Sequence, residues 1–219
     1  MSDPTRQSKF MEVFGVPSFA EGWIGAFVTP DEMELALAFG KEEMTVEEAA
    51  RRLGMEWDDA RHLLEKAYSR GVLDAVYENG GRTGTAVGKY RLSDFYNRMA
   101  YFALFGDWES LPRDVRQRLS TWCLEQYIDL NRDKAEQIRT GSARAEDVGG
   151  EIVILLDELD EVIDSADEIA LFPCNCRAIN QACDRPLDVC IHMNDTAWRS
   201  LARGLGRPLS AAEAKEIVR

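Results

Sequence analysis

Four cysteines, Cys174, Cys176, Cys183 and Cys190, fall within seventeen residues in the pattern C-x-C-x6-C-x6-C, and a fifth, Cys123, stands far upstream. Thiolates are the ligands that soft metal centres select, so a cluster of this density reads as metal ligation before it reads as a disulfide framework. Structural zinc and iron-sulfur clusters share this ligand type, and the spacing has to separate them. Structural zinc sites pair cysteines two to four residues apart around one ion, and a one-residue gap fits that knuckle poorly. A four-iron cube presents separate iron corners that ligands scattered along a loop reach one by one, although this is not the C-x2-C-x2-C run of bacterial ferredoxins. The expectation is a 4Fe-4S cluster held by Cys174, Cys176, Cys183 and Cys190, with Zn as the alternative. The bland reading, four ordinary buried thiols, fits poorly with so dense a group beside Pro173, Asn175 and Arg177.

Arg177 follows the second cysteine directly, where its guanidinium would offset cluster charge or donate to a sulfide; pairing with Asp184 or Asp188 is the competing role. His192, two residues past Cys190, could replace a thiolate as in Rieske centres, but four cysteines already complete a ligand set. Cys123 lies beside Trp122 on an amphipathic stretch and is expected to pack in the core rather than ligate. The acidic run from Asp157 to Glu168 lacks a glycine-containing calcium loop, so it reads as a solvated face or a docking patch for a basic partner. No phosphate-binding glycine loop, nucleophile elbow or paired-histidine metal motif is present, and His62 and His192 are the only histidines. Enzymatic catalysis is therefore not the expected role.

The elements that would position these residues are mostly helical. Thr29, Pro30 and Glu32 spell a capping box for a helix ending at Gly40, and Thr45 with Glu48 spells a second for a helix ending at Gly54. A third helix is expected from Trp57 to Arg70, closed by Gly71, then a strand from Val72 to Tyr77, a turn at Asn79-Gly80-Gly81 and a returning strand from Gly88 to Leu92. Three helices followed by a hairpin is the pattern of a winged helix-turn-helix. Helical patterning resumes from Ser93 to Thr140 with a break at Gly106 to Pro112, and Gly141 to Gly150 reads as a linker. Beyond it, apolar runs at Glu151 to Leu156 and Ile169 to Phe172 read as strands around an acidic helix. The cysteine loop follows, then a helix through Trp198, a bend at Gly204 to Gly206, and a last helix capped by Ser210 and Glu213.

These elements define an α+β fold, mainly helical, with an N-terminal winged helix-turn-helix and a small C-terminal α/β cysteine-rich metal-binding domain. The expected divisions are an aromatic extension at 1–28, the winged-helix-like domain at 29–95, a helical connector and linker at 96–150, and the cysteine domain at 151–219. The 219 residues carry 45% hydrophobic and 30% charged side chains, enough apolar surface to build a core. A net charge of -13 disfavours a generic nucleic-acid binder, which needs clustered cations to displace phosphate counterions. Neither a signal peptide nor an apolar stretch of spanning length is evident, so a cytoplasmic protein without membrane insertion is expected.

The stretches Pro173 to Arg177 (PCNCR), Cys183 to Leu187 (CDRPL), Cys190, and Gly204 to Ala214 (GLGRPLSAAEA) resemble a family of bacterial and archaeal 4Fe-4S ferredoxin-type iron-sulfur binding proteins. The resemblance covers about residues 151–219. Members often carry a winged-helix-like segment ahead of the cysteines, and many continue into further cysteine-rich repeats that this chain lacks, so a second cluster is not expected. The resemblance implies electron transfer with a redox partner protein. Two alternatives remain open: a redox- or iron-responsive winged-helix transcription regulator, and a zinc-stabilised protein-interaction module. Against the regulator, the reading helix from Trp57 to Arg70 sets Asp58, Asp59 and Glu65 against Arg61, Lys66 and Arg70, a balance unlike a basic DNA reader, and Arg82, Lys89 and Arg91 compensate only in part.

Overall fold

The computed structural model describes residues 4–77, 87–142, 144, 155–181 and 184–219. The turn at Asn79-Gly80-Gly81, Arg82, nearly all of the 141–150 linker, residues 151–154 and Cys183 lie outside the described residues.

The aromatic lead-in is ordered. It forms α1 (Pro4–Phe14), a 3-10 turn at Ser18–Trp23 and α2 (Ile24–Phe27). Phe10 and Phe14, four residues apart, share one helix face and are fully buried with their ring centroids 5.2 Å apart. Phe27 packs edge-on to Phe95 and Phe102, so these first residues supply part of the main core.

Both expected capping boxes form. Thr29 and Glu32 open α3 (Pro30–Phe39), and Thr45 and Glu48 open α4 (Val46–Leu53). In each, the hydroxyl accepts from the N3 amide at 3.2 Å while the glutamate accepts from the N-cap amide at 2.8 Å. The third helix, α5 (Trp57–Ser69), follows, and Gly71 takes the positive φ that turns the chain into β2 (Leu73–Tyr77).

Strand β2 pairs antiparallel with β3 (Val87–Leu92), and β3 pairs on its other side with β1 (Glu43–Met44). Two-residue β1 is too short to show an alternation and was not expected. The register sets Met44, Tyr90 and Ala75 side by side, and all three are buried against the helices.

One buried glutamate in this core anchors an arginine. Glu32, 2% exposed in its side chain, accepts from Arg70 at 2.6 and 3.3 Å. Arg70 and the buried Arg98 both donate to the carbonyl of Phe27. Burial, then repulsion from Arg70, pulls the Arg98 pKa down to about 10, with Glu32 opposing.

Arg98 belongs to α6 (Phe95–Phe105), which leads through a 3-10 turn at Trp108–Ser110 to the long α7 (Arg113–Arg139). Val115 and Leu119 of α7 are buried, whereas Leu124, Ile128 and Ile138 are exposed.

The C-terminal part contains α8 (Leu156–Asp164), β4 (Ile169–Pro173), α9 (Asn175–Asn180), β5 (Asp188–Met193), α10 (Asp195–Ala202), β6 (Arg207–Pro208) and α11 (Ala211–Val218). The strands form an antiparallel sheet in the order β5-β4-β6. A strand had been expected to reach Leu156, but Leu155 takes the N-cap position and Leu156 begins α8, because the Glu158 carboxylate closes on the Leu155 amide at 2.7 Å. The whole is mainly helical with two three-stranded sheets, an α+β architecture. Among the described residues no helix is long and apolar enough to cross a membrane.

Candidate metal centre

Alternation along β4 and β5 decides what faces the cysteines. Successive strand residues point to opposite faces, so Ile169, Leu171, Ile191 and Met193 share one face and pack against α8 and α11. Ala170, Phe172, Cys190 and His192 fall on the other. There Phe172 meets Tyr101 and Phe105 of α6 edge-on, and the His192 ring stacks on Phe172 at 4.8 Å and 18°. Cys190 pairs with Phe172 across the strands, two residues before Cys174.

The chain between the strands was expected to be a plain loop, but it is partly helical. Cys174 caps α9 at its N-terminus, Cys176 lies in the first turn, and Cys190 lies within β5. The Cys174 amide donates to the Leu187 carbonyl at 2.8 Å, closing the base of the excursion. Ala178 and Ile179 are buried as α9 packs on α6 and α7. Gln181, at positive φ, caps the helix; its side-chain carbonyl accepts from Arg116 of α7 at 2.6 Å, and its amide donates to Glu109.

Three of the four expected ligands are therefore on the page: Cys174 and Cys190 half-buried, Cys176 exposed. Cys176 feels the charges of Cys174, Cys123 and Cys190 and makes a hydrogen-bonding contact with Cys174. Its pKa is raised, first by desolvation and then by these neighbouring sulfurs. Cys190 is raised by burial and then by Cys174. Thiols gathered this way resist ionising together, and a bound cation is what would reverse that. Among the described residues no three His, Cys, Asp or Glu side chains converge closely enough to hold a single metal ion.

Arg177 is held by the backbone rather than by Asp184 or Asp188. Its guanidinium donates to the Pro186 carbonyl at 2.5 Å, tying the start of the excursion to its end. The His192 Nδ1 lies 2.7 Å from the Ser200 hydroxyl, which in turn donates to the Thr196 carbonyl, and burial lowers its pKa. The acidic α8 is partly neutralised by ion pairs from Asp160 to Arg219 and Asp164 to Lys215.

The remaining described thiol is Cys123. It packs half-buried against the core as expected, yet α9 docks so that Cys176 lies within its electrostatic reach. Tyr96 of α6 faces the Cys123 thiol as a hydrogen-bond donor, an arrangement that favours the thiolate against the opposing effect of burial. Nothing in the linear spacing signals this, since more than fifty residues separate Cys123 from Cys174.

Compared with known proteins, the chain matches no family model, no curated protein and no solved structure.

Proposed function

We propose that the chain is an iron-sulfur protein whose Cys174, Cys176, Cys183 and Cys190 hold a 4Fe-4S cluster, and that it exchanges single electrons with a partner protein. The observation that carries this reading is that Cys174, Cys176 and Cys190, supplied by a helix cap, a helix turn and a strand, lie within electrostatic reach of one another. Ligands supplied from separate elements suit a multi-iron centre with separate corners better than the tight knuckle of a single zinc. When bound, the cluster would supply one reversible electron. The chain's own residues supply its surroundings: Phe172 and Tyr101 present aromatic rings on the α6 side, and Arg177 closes the excursion through Pro186.

The element order α3-β1-α4-α5-β2-β3 favours reading the N-terminal part as a winged helix. We assign it to protein contact rather than DNA, because Arg61 on the outer face of α5 is engaged by Glu65 at 2.9 Å and Asp58 at 3.7 Å. A second reading, a cluster-responsive regulator, is favoured by one contact: Trp198 of α10 packs edge-on against Tyr77 at 4.2 Å, where β2 ends.

The test is anaerobic purification with iron, sulfide and zinc analysis and an absorption spectrum before and after dithionite. About four irons and four sulfides per chain, with a visible band bleached by reduction, are expected. One zinc without sulfide would replace this reading with that of a zinc-stabilised module.

A further inference from the structure

We propose that the outer half of α7 is the contact surface of an antiparallel homodimer, in which a second copy of this chain lays the same helix face against it.

Spacing along the helix defines that face. Leu124, Ile128, Asn131, Ala135 and Ile138 follow one another at intervals of four, three, four and three residues, the repeat that keeps one seam of a helix turned toward a partner helix. Leu124, Ile128 and Ile138 are 57%, 44% and 43% exposed, and among the described residues from Leu124 to Thr140 none is buried. The seam does not continue the core. Leu124 lies nine residues past the buried Val115, which at about 100° per residue turns it to the opposite side of the helix. Helix α7 thus carries two apolar faces, one packed on its own chain and one exposed. Propensity alone holds so solvated a helical segment weakly, and packing of its apolar face is what would secure it.

Charge selects the occupant. From Leu124 to Thr140 four acidic residues stand against three basic ones, so this segment is nearly neutral in a chain of net charge -13, and a second copy meets little local repulsion. Glu125 and Arg132, seven residues apart, lie on the same flank of the seam. When two copies run antiparallel about a two-fold axis between Ile128 and Asn131, Glu125 of each faces Arg132 of the other, and Leu124 of each meets Ala135 of the other. Parallel pairing would instead set Lys134 against Arg139, a like-charge contact. Arg132 holds Asp129 at 2.6 Å within its own helix, but both side chains are well exposed, so that pair is worth little and gives way to the new one. Asn131, the polar member of the seam, donates to the Tyr127 carbonyl at 2.9 Å and enters the contact with one amide hydrogen already satisfied. So short a seam makes a weak dimer, dependent on concentration.

Sedimentation velocity of the full chain in reductant, from low-micromolar to submillimolar concentration, tests this, with circular dichroism to check the fold of each variant. The wild type should pass from monomer to dimer as concentration rises, while I128E stays monomeric. E125R should associate about tenfold more weakly, and E125R/R132E should regain wild-type association, because reversing both charges restores the two contacts. A wild type that stays monomeric throughout overturns the proposal. So does a dimer that I128E leaves intact, since it would lie on another surface. The charge reversals fall on exposed positions and read out even where I128E fails to fold: E125R associating like the wild type, or a double reversal that recovers nothing, overturns the antiparallel pairing.

Discussion

Arg203, the C-cap of α10, forms an ion pair with Asp74 of β2, fastening the C-terminal part to the N-terminal sheet. The guanidinium also donates to the carbonyls of Tyr68 at 2.6 Å and Leu73 at 3.3 Å, and lies over the rings of Tyr68 and Tyr101. Its side chain is 8% exposed, so losing it strands Asp74 and two carbonyls away from full hydration. Replacing Arg203 with Ala should cost about 3 kcal/mol. In a thermal melt this corresponds to a midpoint lower by roughly 6–12 °C. Lys should recover only part of the loss, because an ammonium matches neither the fork of partners nor the stacking on both rings.

Glu32 holds a comparable position in the main core. Glu32→Gln removes the charge facing Arg70, and its neighbour Arg98 then loses a carboxylate that opposes its depressed pKa. A loss of about 3 kcal/mol is expected, at the low end for breaking a buried pair because Arg70 remains a third exposed. Urea denaturation with an unchanged slope would register it as a shift in midpoint alone.

Gly206 lies at φ +75°, and a Cβ there would come 2.5 Å from the Leu171 carbonyl oxygen. Gly206→Ala therefore combines backbone strain with a collision against a strand, at an expected cost of about 2–3 kcal/mol. Because Leu171 adjoins Phe172 in β4, amide exchange should rise first in Ile169–Pro173, and uniform protection there would contradict the steric account.

Removal of Arg177 should act on the metal rather than on the fold. With its bond to the Pro186 carbonyl gone, the excursion carrying the cysteines keeps the Cys174–Leu187 backbone bond but loses its side-chain tie. Loaded Arg177→Ala should surrender iron to a chelator about tenfold faster than the wild type, with its metal-free melting temperature little changed.

Acid should loosen the caps. Hydrogen bonds from the Thr45 and Ser210 backbones hold the Glu48 and Glu213 carboxyls below their ordinary pKa of 4.5. A carboxyl depressed in the folded state contributes stability that is fully present above its unfolded pKa and lost as pH falls through the folded value. Melting temperature should thus decline below about pH 4.5, with a shallower slope in the Glu48→Gln, Glu213→Gln double variant.

Local signals were legible in the sequence wherever structure is set by neighbours along the chain. The capping boxes at Thr29, Thr45 and Ser210 begin helices where their residue types require, since a hydroxyl and a glutamate three residues apart satisfy each other's amides without help from elsewhere. The same holds for Gly71 and for the apolar run that makes Ile169 to Phe172 a strand. The density of Cys174, Cys176, Cys183 and Cys190 marked the candidate site for the same reason. Strand β1 was invisible, because Glu43 and Met44 become a strand only by pairing with Arg91 and Tyr90. The bond from Arg177 to the Pro186 carbonyl was not legible either, because the excursion has to fold back to bring that carbonyl round. The approach of Cys123 to Cys176 exists only because Ile179, Gln181 and Arg116 dock α9 on α7. Contacts of that kind depend on apolar burial and hydrogen bonds between segments far apart in the chain, and tertiary packing alone decides them.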